Sequence, residues 1–203
     1  MLEFDEKKHE YRKDGNIIPS TTQILKAEGL SDFSMIKEDV LEYSLALGSA
    51  VHYGAELHEL GKLDESTVDP SVKLLLDQWL LFLDGAKKRG WLDGEKWVER
   101  RLFSVLGFAG TPDRVYYHDQ RIIVIDIKTG IKVPGAALQT AAYKILSVEQ
   151  LKAEKKRVLK SMRMCVYLKD DSFEICEHKD PLDAIYFRSL LNVYNFKKKW
   201  KIY

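Results

Sequence analysis

Gly110-Thr111-Pro112-Asp113 and Asp126-Ile127-Lys128 are the residues of this chain best placed to do chemistry. Segments 107–117 and 121–128 are rich in β-branched and aromatic residues, and His118-Asp119-Gln120-Arg121 has the polarity of a hairpin turn between them. A turn centred on Asp119 and Gln120 sets Asp113 opposite Asp126, with Cβ atoms about 4.5 to 5.5 Å apart. Lys128, two residues on, shares the face of Asp126. Carboxylates this close repel, and one pKa rises unless a cation lies between them. The pair therefore asks for a divalent metal, with a lysine charge beside it.

Paired carboxylates on a hairpin are ordinarily two solvated surface charges. The run Ile122-Ile123-Val124-Ile125 argues otherwise, because alternation cannot divide it into wet and dry faces and the strand should be covered on both sides. Charges at the end of such a strand need partners or a metal.

The elements that must position these residues are legible in outline. A hairpin is expected from Leu2 to Tyr11 and Asn16 to Ile18, turned at Asp14-Gly15. Ser20 and Gln23 form a capping box for a short helix ending at Gly29. A longer helix spans about Asp39 to Leu60 with Leu41, Leu45, Gly48, His52 and Ala55 on one stripe. Asp69-Pro70 starts another, Val72 to Lys88, stopped at Gly90. Strands are expected at 95–104, 107–117 and 121–128, a helix at Pro134 to Ser147, and a hairpin over Met162 to Leu168 and Phe173 to Glu177. Asp180-Pro181 opens a last helix that ends in Lys197-Lys198-Lys199-Trp200-Lys201. Helices then cover a mixed sheet in one α/β domain, residues 1–90 forming a hairpin and helical part and 91–203 the sheet and its covering helices.

With 203 residues, 45% of them hydrophobic, the chain can bury a sizeable core. It has no apolar run of membrane-spanning length, and Met1 to Glu6 lacks the regions of a signal peptide, so a soluble cytoplasmic protein is expected. Cys165 and Cys176 are far from C-x-x-C spacing, which excludes a four-cysteine zinc site or an iron–sulfur cluster from within the chain. The late hairpin would allow them to face each other, but two reduced core thiols are the expected state. The net charge of +1 argues against tight nucleic-acid binding by charge alone.

Pro112-Asp113 followed after twelve residues by Asp126-Ile127-Lys128 resembles the signature of the PD-(D/E)XK nuclease superfamily. Gly48-Ser49-Ala50-Val51-His52 resembles the Gly-x-x-x-His helix of its RecB-like branch, and Gln139-Thr140-Ala141-Ala142-Tyr143 its Gln-x-x-x-Tyr motif. Glu99 is similar to an acidic residue of that branch and of lambda-type exonucleases. The opening hairpin and the segment from Ile18 to Leu25 resemble the start of phage-type exonucleases.

The resemblance implies a restriction-endonuclease-like core and a Mg²⁺- or Mn²⁺-dependent deoxyribonuclease without a cluster. It implies an exonuclease of phage or prophage type in recombination or end processing, with DNA, and a recombination protein, as partners. Asp113, Asp126, the Ile127 carbonyl and His52 would hold one or two ions; Lys128 would position or help deprotonate the water; Glu99 would bind a second ion or the DNA end. Gln139 and Tyr143, offset from the stripe Leu138, Ala142 and Ile145, would contact the DNA backbone, and Thr129 a phosphate.

Each residue also has an ordinary reading. His52 on a partly apolar stripe is commonly a hydrogen-bonded boundary residue, with Gly48 leaving room for a strand or metal and Glu56 placed to orient the ring. Gln139 and Tyr143 read equally as a polar helix shoulder, and the basic segments 152–157 and 197–201 as solvated faces, although Trp200 and Tyr203 would suit strand tracking. An endonuclease or resolvase, or a non-catalytic DNA-binding protein keeping the fold, are the alternatives.

Overall fold

Short β-branched runs form strands and the longer 3.6-period segments form helices in the computed structural model, which describes residues 2–5, 8, 10–31 and 36–202. In chain order these are β1 (Leu2–Asp5), β2 (Glu10–Lys13), β3 (Asn16–Ile18), α1 (Thr21–Ala27), α2 (Glu38–Glu59), α3 (Pro70–Lys88), β4 (Glu95–Val98), β5 (Leu102–Phe103), β6 (Ala109–Gly110), β7 (Arg114–His118), β8 (Arg121–Lys128), α4 (Gly135–Ala153), β9 (Lys160–Leu168), β10 (Phe173–Glu177) and α5 (Asp183–Trp200). Met1 and Tyr203 lie outside the described residues.

The central sheet is mixed, in the order β10-β9-β8-β7-β4. β8 runs parallel to β9, joined to it by α4 as the crossover, and the other pairings are antiparallel. The turn between β7 and β8 is the expected one: His118 pairs with Arg121 and Arg114 with Ile125, and Asp119 and Gln120 have φ of 45° and 56°. Such a pair of left-handed residues closes a two-residue hairpin whose twist matches the strands.

Helices cover both faces of the sheet. Ile122 and Val124 meet α1, α4 and α5, whereas Ile123, Ile125 and Ile127 meet α2 and α3. The undivided apolar run of β8 is thus explained by two cores, and Asp126 and Lys128 fall on the α4 side by alternation.

Three expectations are corrected in detail. The first strand is two strands, β1 and β2, in a separate sheet with β3; the expected strand passes residues 6, 7 and 9, which lie outside the described residues. The strands expected at 95–104 and 107–117 each break, after Val98 and after Gly110. Glu99 turns the chain away at φ 46°, Pro112 has no N–H to give a ladder, and the pieces β5 and β6 pair with each other. α4 runs past Ser147 to Ala153, because buried Leu146 and Leu151 continue its apolar face.

The caps behave as the sequence implies. Ser20 and Gln23 complete a reciprocal box on α1, and Asp69 accepts from the Ser71 N–H ahead of α3 with Pro70 in the first turn. On α2, however, only Ala55 of the expected stripe is buried, beside Val51; Leu41, Gly48 and His52 are half-buried and Leu45 is 59% exposed.

Candidate metal centre

Where β4 and β7 end, the sheet forks, and the fork assembles the site. The Glu99 N–H donates to the Asp113 carbonyl at 3.0 Å, tying the two strand ends together. The left-handed Glu99 backbone carries a cost on the order of 1 kcal/mol that a polar side chain held at a site can justify.

Asp113 lies just beyond β7 and is 6% exposed. Its Oδ2 accepts from the Ile127 N–H at 2.6 Å, which locks it against the end of β8. Thr111, two residues earlier, is held by the Tyr11 hydroxyl at 2.6 Å, so the N-terminal sheet braces the Pro112 turn. At Gly110 a Cβ would sit 2.9 Å from Thr21 Oγ1 and 3.0 Å from Leu146 and Tyr143 side-chain carbons. Glycine there lets α1 and α4 close over the strand.

His52 enters from α2. Its Nε2 donates to the Ile127 carbonyl at 3.1 Å, and its Nδ1 lies 3.5 Å from Asp113 Oδ2 and 3.8 Å from Glu99 Oε1. The backbone carbonyl thereby sets the ring so that Nδ1 points into the carboxylates. These contacts, rather than Glu56, orient the imidazole. A Cβ at Gly48 would lie 3.0 Å from the Thr129 hydroxyl, so the room that glycine leaves is filled by the end of β8. One ligand atom from each of His52, Glu99 and Asp113 lies within 4.8 Å of the others.

Asp126 is 1% exposed and faces a different set of partners. Its Oδ2 accepts from Lys128 Nζ at 2.7 Å and from the Cys165 thiol at 3.5 Å. Lys128 also donates to Gln139 Oε1 at 2.9 Å, and Gln139 donates in turn to the Tyr143 hydroxyl at 2.9 Å. Gln139 and Tyr143 are thus tied to the lysine. Tyr143 does not lie off the apolar stripe: it is 5% exposed within the core cluster, whereas Leu138 is only partly buried.

Burial raises the pKa of Asp113 and of Asp126 above the usual carboxylate range, His52 and Lys128 offsetting it in part. For His52 burial alone would lower the value, but Asp113 and then Glu99 outweigh it and raise it to about 9. Lys128 is raised as well, since the Asp126 charge overrides its burial. Two buried carboxylates thus hold charge that the protein only partly neutralises. Carboxylate oxygens and an imidazole nitrogen on one small perimeter are the donor set that suits a hard or borderline divalent ion.

Sequence reasoning missed the support beneath the site. Arg114 is wholly buried; its Nε donates to Glu59, and its Nη1 to Glu99 Oε1 at 3.3 Å and to the Asp113 carbonyl at 2.6 Å. Glu59 also accepts from Lys96 at 3.1 Å. Arginine in a strand of apolar neighbours was the available signal. Cys165 and Cys176 are direct register partners between β9 and β10, both free thiols. The closeness of Cys165 to Asp126 follows only from the parallel register of β8 and β9, which pairs those two residues.

No family model matches the chain, and no curated protein matches it. Among solved structures, SSO0001 overlaps with a TM-score of 0.33 at 18% identity, over 70% of this chain and 82% of that one. A protein of Eubacterium rectale, named as a candidate exonuclease, overlaps with a TM-score of 0.48 at 12% identity, over 86% of this chain and 74% of its own. Neither likeness assigns a role to a residue here. Among the described residues no helix is long and apolar enough to cross a membrane.

Proposed function

We propose that this chain is a divalent-metal-dependent nuclease that hydrolyses phosphodiester bonds in DNA, acting as an exonuclease in recombination or end processing. The observation that carries the reading is the convergence of His52, Glu99 and Asp113 within 4.8 Å, at the end of the strand that presents Asp126 and Lys128.

His52 Nδ1, Asp113 and Glu99 would hold the ion, with Asp126 and the second lone pair of the Ile127 carbonyl bordering it. Mg²⁺ or Mn²⁺ bound there would polarise the scissile phosphate and lower the pKa of a water. The protein's own part is to place charge. Lys128, kept protonated by Asp126, is a fixed cation for the negative charge that grows on the phosphoryl oxygens during attack, and a poor acceptor for the water's proton. Gln139, itself bonded to the Tyr143 hydroxyl, holds it in place, and Thr129, the next residue along the chain, would donate to a phosphate oxygen.

The test is digestion of end-labelled linear duplex, circular duplex and single-stranded DNA with Mg²⁺, Mn²⁺ or EDTA. Metal-dependent loss of linear substrates, with circles spared, is the expected result, and Asp113→Asn should abolish it. Cutting of circles would make the enzyme an endonuclease. Absence of cleavage with either metal would remove the catalytic reading.

A further inference from the structure

α5 has two apolar faces. Phe187 and Leu191 are buried, and Leu190 and Tyr194 pack with them against the core. On the opposite side Leu182, Ile185, Tyr186, Val193, Phe196 and Trp200 are each between 42% and 61% exposed. Helical spacing puts these six on one stripe about 100° wide, the width by which a helix normally meets its own core. The chain 182, 186, 189, 193, 196, 200 alternates steps of four and three, the seam spacing of two helices packed side by side, with Ser189 as its one polar member.

The stripe exposes roughly 600 Å² of apolar surface, at the top of the range a monomer leaves in one patch and most of the about 800 Å² each partner contributes to a standard interface. Its edges decide the occupant. Arg188 and Lys199 are exposed along one edge, and Lys197, paired with Glu28 at 2.8 Å, lies on the other. The helix holds one carboxylate, Asp183, which is buried on Arg163 at 2.8 Å. A second copy of α5 would therefore set cations against cations in either direction.

We propose that the outer face of α5 is a docking surface for a partner protein's amphipathic helix whose apolar seam is flanked by glutamate or aspartate. Helix on helix buries both seams, and acidic flanks complement the Arg188 and Lys199 edge, which speeds encounter and excludes basic helices. This surface does not depend on the nuclease reading.

The test uses two fluorescein-labelled synthetic helices with the same leucine seam, one flanked by glutamate and one by lysine, titrated against the full chain by anisotropy. The glutamate helix should bind saturably, at least tenfold tighter than the lysine helix, and weaken as salt rises. Tyr186→Ser with Phe196→Ser should weaken it tenfold or more at unchanged Tm, since both side chains are exposed. The proposal is overturned by absence of saturable binding, by equal binding of the two helices, or by full binding to the double variant. Sedimentation equilibrium and titration with phosphatidylserine vesicles and single-stranded DNA complete it. Self-association, or lipid or DNA binding, that the double variant abolishes would give the stripe to that occupant instead.

Discussion

Lys128 makes one ion pair and one hydrogen bond, and removing each should have a different effect. Gln139→Leu leaves the Asp126 pair but frees the ammonium to swing, so turnover should fall roughly tenfold while the Mn²⁺ dependence of Tm is kept. An equal loss of metal response would make Gln139 a structural prop of the metal site itself. Replacing Tyr143 by alanine should cost about 3 to 5 kcal/mol in urea unfolding, because the ring is core and not shoulder. His52 supplies a pH signature. Its pKa is raised to about 9 from 6.5 by Asp113 and Glu99, so this contribution is fully present below pH 6.5 and is lost as pH rises through about 9. In EDTA, Tm should therefore fall across that window and fall less in His52→Asn. With Mn²⁺ the sign reverses, since a ligating imidazole is neutral and metal-induced stabilisation grows with pH. Asp113, Asp126 and Lys128 were legible from the turn and the continuous apolar strand, whereas His52 and Glu99 were singled out only through the resemblance to a nuclease family. Their division into His52-Glu99-Asp113 and Asp126-Lys128-Cys165 was not legible, because it depends on which side-chain oxygen turns to which neighbour.

The Glu59–Arg114 pair joins the end of α2 to the first residue of β7, beside the Tyr116 hydroxyl, which also donates to Glu59 at 3.5 Å. Buried pairs contribute little net stability, but breaking one strands the other charge. Arg114→Met alone should destabilise by about 3 to 5 kcal/mol, and adding Glu59→Leu should recover much of that loss, as measured by urea denaturation of both variants. The double variant should still cleave less well, because Glu99 loses the guanidinium that holds its Oε1. Helix caps, the β7–β8 turn and the register it sets as far as Arg114 with Ile125 were readable because each is written in adjacent residues. The forked ends of β4 and β7 were readable only in part. Pro112 inside an apolar run is a strand breaker that could have been heeded, whereas nothing near Glu99 announces a left-handed backbone.

At the scale of the molecule, every candidate site residue lies between His52 and Tyr143, yet β8, which carries three of them, is flanked on one side by β9, from residues 160 to 168. Deleting residues 159–203 should therefore abolish cleavage although it removes none of them, and the remaining chain should lose protection of β8 amides in hydrogen exchange. Full protection in the truncated chain would show that the β7 side alone holds the strand. The order of the strands along the chain has a consequence for synthesis. A ribosome delivers His52, Glu99, Asp113, Asp126 and Lys128 well before β9, and a parallel pairing closed through a whole helix is among the slower steps of folding. A growing chain thus carries all the candidate site residues while still unable to assemble them, and the site can close only after β9 has left the ribosome.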